Sequence, residues 1–297
     1  MRILIFSTLL ALLLALPAHA QNIRDHKTFI DTKMARSYYL HIPKSAGPNA
    51  PLVVALHGMG GHAYALRHGI GIDRMAAENG FAVLFPQGAN LANGTTSHWN
   101  AGFDFSDVDD ISFLTRLTET IAHRHGLDTT RIYLLGISNG GYMAYRLACQ
   151  SPGLFAGLAS VAGTMGGADW QNCPARKPLS ILHIHAYDDQ YIPYDGFTHW
   201  ASGWGGVPAV PDMISFWVDQ FNAKAVEAGR SLPQTDILRF RNERRDVEIK
   251  LLSLKGFRHD WPHAQNFAYR ALDEIAAFFD LLMPETDLAQ AKHKSTK

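Results

Sequence analysis

Residues 131–150 read RIYLLGISNGGYMAYRLACQ, an apolar run followed by a tight turn and a helix-like segment. The run 132–135 is apolar at every position, as expected of a central strand covered on both faces. The turn holds the pattern G-x-S-x-G, and in such a strand-to-helix turn only small neighbours leave room for the strained backbone of the central serine. The stretch therefore predicts that Ser138 is a nucleophile, with a purely structural turn as the alternative.

Short apolar runs alternate with amphipathic stretches along the rest of the chain, which is typical of strand and helix units in a mainly parallel sheet. The predicted strands cover residues 38–43, 52–57, 81–85, 131–136, 157–162, 179–185 and 247–254. This pattern predicts an α/β fold, with a mainly parallel central sheet and helices on both faces. We expect a single domain over residues 21–285.

Two helices on this sheet are predicted from their own patterns. One is amphipathic and follows Asp109 and Asp110, whose carboxylates fit capping positions at a helix start. A cation site formed by these two residues with Asp107 is the alternative, although no further ligand group is evident. The last helix is expected over residues 264–282.

A serine hydroxyl becomes reactive only when a base removes its proton and an acid holds the base. His259 lies in a turn-like stretch after the last predicted strand, where a loop can carry it to the carboxyl edge of the sheet, and His263 is its main alternative. The acid is expected after the strand 179–185. Asp188 and Asp189 both qualify there, and periodicity does not choose between them.

Two backbone amides are candidates for stabilising an oxyanion. The stretch His57-Gly58-Met59-Gly60-Gly61 follows a predicted strand, and the Met59 amide is placed to be one donor. The Asn139 amide, at the start of the helix after Ser138, is expected to be the other. An ordinary glycine-rich exit from the strand is the alternative for the first loop.

His183 and His185 alternate on a predicted strand and would face the same side, so a metal site is a hypothesis to weigh. No cysteine or carboxylate at ligand spacing accompanies them. We therefore interpret them as histidines held by hydrogen bonds, and we expect neither a metal nor an organic cofactor.

Composition narrows the choice of partners. The 297 residues are 47% hydrophobic and 18% charged, and 27 basic residues balance 27 acidic ones. Without a basic stripe to follow a phosphate backbone, nucleic acid is not an expected partner. The sequence does not indicate an oligomeric state.

The N-terminus has the pattern of a secretory signal over residues 1–20: Arg2, an apolar run, and small residues before a cleavage point after Ala20. The apolar run is shorter than the roughly 20 residues that span a bilayer, so no stable membrane insertion is expected after the signal is removed. We predict a secreted or periplasmic protein. The tail 286–297 is polar and is expected to be disordered.

Cys149 and Cys173 are the two cysteines of the chain, and an oxidising compartment would let them form a disulfide; two separately buried thiols are the alternative.

The aromatic-rich segment 197–221 contains Trp200, Trp204 and Trp217. It is expected either to form one wall of the site or to pack a helix onto the body.

Several motifs taken together resemble one known family. They are PLVVALHG (51–58), GFAVLFPQG (80–88), WNAG (99–102), GISNGGYMAYRLAC (136–149), IPY (192–194) and HDWP (259–262). They are similar to motifs of the α/β-hydrolases that include polyhydroxybutyrate depolymerases and the related feruloyl and acetylxylan esterases. The resemblance covers most of the chain after the leader.

The resemblance implies an α/β-hydrolase fold and a serine ester hydrolase whose substrate is a small, oligomeric or polymeric ester. In that family the acid lies four residues before a proline and the histidine lies in H-x-W-P, which selects Asp189 and His259. By the same analogy Trp261 and Trp99 would line the substrate pocket. A serine peptidase of the same fold and a non-catalytic binding protein on this scaffold are the competing hypotheses.

Overall fold

The structure, a computed structural model, describes residues 26–30, 35–92, 94–174, 177–197, 206–226, 233–268 and 270–281. The expected leader, the expected tail and the predicted domain boundaries at 21 and 285 lie outside these residues. So do Trp200 and Trp204 of the aromatic-rich segment.

Strands dominate the described part of the chain. In chain order they are β1 His26–Ile30, β2 Ala35–His41, β3 Leu52–Leu56, β4 Ala82–Pro86, β5 Ala89–Asn90, β6 Ser97–His98, β7 Ile132–Ile137, β8 Gly157–Val161, β9 Ser180–Ala186, β10 Lys224–Val226, β11 Thr235–Asn242 and β12 Val247–Leu254. Within the described residues, ten of them form one sheet in the order β1-β2-β4-β3-β7-β8-β9-β12-β11-β10, and β5 pairs with β6.

The six central strands of this sheet, from β4 to β12, are parallel, and the outer strands on both sides are antiparallel. Strands β3, β4 and β8 are buried at every position. This is what continuous apolar runs predict for parallel strands covered on both faces. The predicted α/β class with a mainly parallel sheet is confirmed.

Helices cover both faces of the sheet. They are α1 Ala63–Gly69, α2 Ile72–Asn79, α3 Asp110–His125, α4 Asn139–Gln150, α5 Gly167–Asn172, α6 Val210–Phe221 and α7 Ala271–Phe278. Buried residues of α3, α4 and α6 belong to one apolar cluster, and those of α1, α2 and α7 belong to a second. The two clusters contain alternate residues of the central strands, because successive side chains of a strand point to opposite faces.

Helix α6 packs onto the body of the protein through Val210, Met213 and Trp217, which are fully buried. The Trp217 ring lies 6.0 Å from the Tyr145 ring of α4. For its described part, the segment 197–221 therefore has the packing role.

Cys149, at the end of α4, and Cys173, just after α5, form a disulfide with an S–S distance of 2.05 Å. The bridge closes a loop between residues 24 positions apart. In the chain-entropy description a bridge of this span stabilises the fold by about 3 kcal/mol.

The last helix is shorter than the sequence pattern suggests. Helix α7 begins at Ala271, not at residue 264. A turn precedes it, in which the Asn266 side chain accepts a hydrogen bond from the His263 amide at 2.7 Å. Asparagine side chains compete in this way with helical backbone hydrogen bonds, and the pattern of apolar spacing does not register that competition.

The two acidic residues at the start of α3 have different roles. Asp109 is the N-cap of the helix, and its side chain accepts a hydrogen bond from the Ser112 amide at 3.0 Å. Asp110 is not a cap: it is 1% exposed, and its Oδ1 lies 2.7 Å from Nη2 of the buried Arg36. The capping interpretation is correct for the first residue and wrong for the second, whose partner lies 74 positions away.

We expect Asp110→Ala to lower the free energy of unfolding by about 3–5 kcal/mol, because Arg36 would keep a buried charge without its partner. Asp109→Ala is the matched control. It removes a single cap hydrogen bond and should cost about 1 kcal/mol. Urea unfolding at neutral pH measures both variants, and equal losses would contradict the buried ion pair as the dominant contribution.

Candidate active site

Ser138 lies in the turn between β7 and α4 with a strained backbone, at φ 52° and ψ −121°. This turn is possible because its neighbours are glycines. A Cβ on Gly136 would clash with the Gly140 carbonyl, and a Cβ on Gly140 would clash with the Leu56 carbonyl. The serine is partly exposed at the carboxyl edge of the parallel strands.

The structure brings Ser138, His259 and Asp189 together. His259 Nε2 lies 2.9 Å from Ser138 Oγ, and His259 Nδ1 lies 2.7 Å from Asp189 Oδ2. The three residues follow β7, β12 and β9, which are parallel strands of one sheet, so their carboxyl ends lie at the same edge; β9 and β12 are adjacent, and β8 lies between β7 and β9. This arrangement can transfer a proton from the hydroxyl to the imidazole.

Asp189 is 5% exposed, whereas the neighbouring Asp188 points into solvent. Its Oδ1 accepts hydrogen bonds from the Tyr191 amide at 2.9 Å and the Ile192 amide at 2.8 Å. Burial alone would raise the pKa of Asp189, but the hydrogen bonds from His259 and the Ile192 amide lower it overall. The carboxylate is therefore ionised beside His259 at neutral pH.

The two expected oxyanion donors flank the serine. Asn139 is the first residue of α4, where backbone N–H groups have no partner within the helix. Its fully buried side chain makes two hydrogen bonds to the backbone of Trp99, which hold this first turn of α4 in place. Met59 is in the loop after β3, and that loop passes close to Ser138: a Cβ on Gly58 would lie 3.4 Å from the serine Cβ.

His57 fixes this loop, a role that the sequence reasoning missed. Its Nε2 accepts from the Gly88 amide at 3.0 Å, so in the neutral ring Nδ1 carries the proton and donates to the Gly58 carbonyl at 2.8 Å. Burial lowers the pKa of His57 to about 4. The ring is neutral at physiological pH and positions the loop that carries Met59.

We expect the free energy of unfolding to fall as the pH is lowered from about 6.5 to about 4. In that window His57 is protonated in the unfolded chain, whose histidines have a pKa near 6.5, but not in the folded protein. Each such proton lowers stability by about 1.4 kcal/mol per pH unit. Urea unfolding at several pH values tests this.

His57→Gln should give a shallower pH dependence of stability, because one proton that binds the unfolded chain is removed. His123→Gln, at an exposed position on α3, is the matched control and should leave the slope unchanged. A stability that is constant or rising between pH 6.5 and 4 would contradict the neutral, buried state.

The structure corrects the assignment of the two tryptophans to the substrate pocket. Trp99 is fully buried, and its indole Nε1 donates to the His57 carbonyl at 2.9 Å. Trp261 is 4% exposed and packs in the second apolar cluster with Phe257. The Trp99 ring therefore holds the His57 backbone, and the Trp261 ring is part of the core. The assignment was wrong because the sequence shows an aromatic residue but not the direction in which its ring points.

Tyr191 borders the site instead, and a second exposed tyrosine, Tyr187, lies in the same loop; the sequence reasoning missed both. Tyr191 is 59% exposed, and its ring lies 5.3 Å from the His259 ring in an edge-on arrangement. Tyr187 is 40% exposed and donates a hydrogen bond to Asp236 at 3.0 Å. Their signal in the sequence was closeness to Asp189 in a loop that follows a strand.

His183 and His185 do face the same side of β9, but His183 Nε2 lies 3.2 Å from His185 Nδ1 and the two rings are hydrogen-bonded. Across the ranges that the structure covers, no group of three histidine, cysteine or acidic side chains converges in a way that could hold a metal ion. In the same ranges, no helix has both the length and the apolar character of a bilayer crossing.

The family, the relatives and the solved structure that this chain matches below are all described as esterases. Residues 36–179 match the protein family described as Esterase PHB depolymerase. A putative esterase, NocK, from Nocardia uniformis subsp. tsuyamanensis is 31% identical over 171 residues, which are 55% of this chain and 48% of that protein. A bifunctional acetylxylan esterase/xylanase from Neocallimastix patriciarum is 25% identical over 247 residues, 80% of this chain and 33% of that protein.

The chain thus spans less than half the length of these two curated relatives. Among solved structures, the acetyl xylan esterase from Aspergillus awamori superposes with a TM-score of 0.63 at 15% identity. The match covers 86% of this chain and 99% of that one. At this identity the likeness concerns the fold.

Proposed function

We propose that the protein is a serine carboxylic ester hydrolase acting through an acyl-enzyme, because residues 36–179 match the Esterase PHB depolymerase family and the fold is that of the α/β-hydrolases. The observation that carries the proposal is the hydrogen-bonded series from Ser138 through His259 to Asp189. A non-catalytic binding protein, the competing hypothesis, would not need these three side chains to be hydrogen-bonded to one another.

The geometry supports a reaction in two halves. Ser138 Oγ attacks the ester carbonyl while its proton passes to His259 Nε2, and the tetrahedral intermediate collapses when that proton moves to the leaving alcohol. A water molecule then attacks the acyl group, giving its proton to His259, which returns a proton to the serine. Asp189 holds the imidazole with its Nδ1 proton towards the carboxylate.

The amides of Asn139 and Met59 are the proposed oxyanion donors. Negative charge develops on the carbonyl oxygen in both halves of the reaction, and each fixed donor typically stabilises it by about 3 kcal/mol. The rigid supports of both amides favour this role: α4 on one side, and the loop held by His57 on the other.

The ring of Tyr191 bears on the substrate class. Tyr191 presents a largely exposed ring beside His259, which favours an ester with a planar or apolar group that can stack against it. Feruloyl esters and hydroxyalkanoate oligomers have such groups. Acetylated polysaccharide, which offers sugar rings, is the second candidate because of the acetylxylan esterase relative.

We also propose that the protein is exported. The signal-like pattern of residues 1–20 supports this, and so does the Cys149–Cys173 disulfide, since such bridges persist in oxidising compartments. The periplasm and the extracellular medium are both compatible with these two features.

The test of the proposed function is a rate comparison on methyl ferulate, acetylated xylan, hydroxybutyrate oligomers and p-nitrophenyl esters, with matched p-nitroanilides as the amide control. We expect turnover of esters and none of the anilides, together with labelling of the protein by a fluorophosphonate. Efficient cleavage of the anilides would favour the peptidase hypothesis. Failure to hydrolyse any ester would overturn the proposal.

A further inference from the structure

A second series of hydrogen bonds lies behind the triad, and the proposed mechanism does not use it. His183 and His185 are two residues apart on β9, so their side chains share one face of the strand. Both are at most 1% exposed, and their rings stack at 5.3 Å with an interplanar angle of 12°. Tyr145 of α4 adds a third member, with its hydroxyl 2.9 Å from His183 Nδ1.

The proton positions along this series follow from its last acceptor. His185 Nε2 lies 2.8 Å from the Ile192 carbonyl, which only accepts, so Nε2 carries the proton. His185 Nδ1 then accepts from His183 Nε2, and His183 Nδ1 accepts from the Tyr145 hydroxyl. Every donor in the series points from Tyr145 towards the Asp189 turn.

Burial keeps all three members neutral. It lowers the pKa of His183 well below the ordinary histidine value and also lowers that of His185, while it raises the pKa of Tyr145. A neutral His185 offers Asp189 an N–H dipole without a full charge. Charged, it would compete with His259 for the carboxylate.

The series ends at the turn that carries Asp189, and its last imidazole approaches this turn at two points. His185 Nε2 donates to the Ile192 carbonyl and lies 3.5 Å from Asp189 Oδ2, the oxygen that accepts from His259. The Ile192 amide in turn donates to Asp189 Oδ1 at 2.8 Å. One imidazole therefore supports the turn and borders the carboxylate.

We propose that His185, aligned by His183 and Tyr145, is a positioning residue that fixes the orientation of Asp189 towards His259. The inference rests on the proposed function, because Asp189 matters only if His259 acts as a base. The inference assigns a role to a buried histidine that the proposed reaction does not use.

The first test compares His185→Leu with His185→Gln. Leucine removes the donor, whereas the glutamine amide can reach the Ile192 carbonyl from the same position. We expect His185→Leu to lower kcat about 10- to 100-fold with KM nearly unchanged, because small misplacements of catalytic groups have effects of this size. Glutamine should restore most of the loss.

Ser253→Ala is the matched control, since it removes another buried hydrogen bond beside the same loop, the one between the Ser253 and Tyr194 hydroxyls at 2.7 Å. It should lower stability but leave kcat unchanged. Equal losses of kcat in the control and in His185→Leu would overturn the positioning role, and so would the absence of rescue by glutamine in a variant that folds.

A double-mutant cycle separates positioning from a general structural effect. If His185 acts through Asp189, then His185→Leu should change kcat less than about 2-fold in an Asp189→Ala background, because coupled residues are not additive. Full additivity would overturn the inference.

A measurement without substrate covers the case in which the proposed function itself fails. The His259 Nδ1 proton, hydrogen-bonded to Asp189, should give a low-field proton NMR signal. We expect His185→Leu to shift or broaden it and His185→Gln to retain it. An unchanged signal in His185→Leu would overturn the positioning role, whereas lack of ester turnover in the wild type overturns only the proposed reaction.

Discussion

Replacing Ser138 with alanine is expected to lower kcat/KM for ester hydrolysis by about 10⁴- to 10⁶-fold and to abolish fluorophosphonate labelling. The hydroxyl is the atom that forms the acyl bond, and Oγ lies 2.9 Å from the base. What remains without it is the effect of the oxyanion donors and of binding alone.

Folding should be retained in this variant. Alanine keeps the Cβ of the turn, and the glycines that make room for the strained backbone are untouched. Thermal unfolding followed by circular dichroism is the control for this point. Ester hydrolysis within ten-fold of the wild-type rate, in a protein with unchanged unfolding, would mean that another residue is the nucleophile.

The part of the site around Ser138 could be predicted from the sequence because its determinants are local. The β7 strand, the turn and the α4 helix are consecutive, and Gly136 and Gly140 are required by contacts within that turn and with the adjacent strand. The parallel strands are likewise local, since a run such as residues 52–56 is apolar at every position. Local rules therefore predict the central sheet and one of the three reacting groups.

Local sequence rules do not distinguish Asp189 from its neighbour Asp188 as the acid of the site. It and Asp188 are neighbours in a loop, and successive residues there face different environments: one carboxylate is buried against His259, and the other is in solvent. Neither the spacing of these residues nor the composition of the loop predicts that one carboxylate is buried and the other is exposed. The family resemblance selected Asp189, whereas periodicity left both residues open.

Contacts between distant parts of the chain account for what the sequence reasoning missed. The partner of Asp110 is Arg36, and the partner of the Trp99 indole is the His57 carbonyl, 42 positions away. An acidic residue at a helix start is more commonly a cap than a partner in a buried ion pair. An aromatic residue near a site is more commonly part of the pocket wall than a support for a loop. Strands β10 and β11 at the sheet edge were missed for a different reason: edge strands lack the continuous apolar run that identifies central strands.

Burial also determines which histidine can act as a base. His57, His183 and His185 all lie near the site, but burial lowers the pKa of each, and their ring nitrogens are engaged in hydrogen bonds. The His259 side chain is 14% exposed and faces both the serine and the acid. We infer that the first three histidines support loops, which leaves His259 to exchange protons with substrate.

Asp189→Asn is expected to lower kcat by about 10⁴-fold, although it changes a single atom. The amides of Tyr191 and Ile192 donate to Oδ1, so the asparagine carbonyl should stay at that position. Its NH₂ group would then replace Oδ2 and face His259 Nδ1. Since NH₂ only donates, His259 would have to accept at Nδ1 and carry its proton on Nε2.

A proton on Nε2 faces Ser138, so the imidazole could no longer remove the hydroxyl proton. The matched control is Asp188→Asn, the same chemical change at the exposed neighbour, which should leave kcat within about 2-fold of the wild type because a surface carboxylate interacts weakly. Steady-state kinetics at pH 7.5 and the ¹⁵N shifts of His259 measure the rate and the tautomer independently. If Asp189→Asn kept a rate within ten-fold of the wild type while its tautomer changed, proton transfer through His259 would not limit the reaction, and the proposed role of the acid would be wrong.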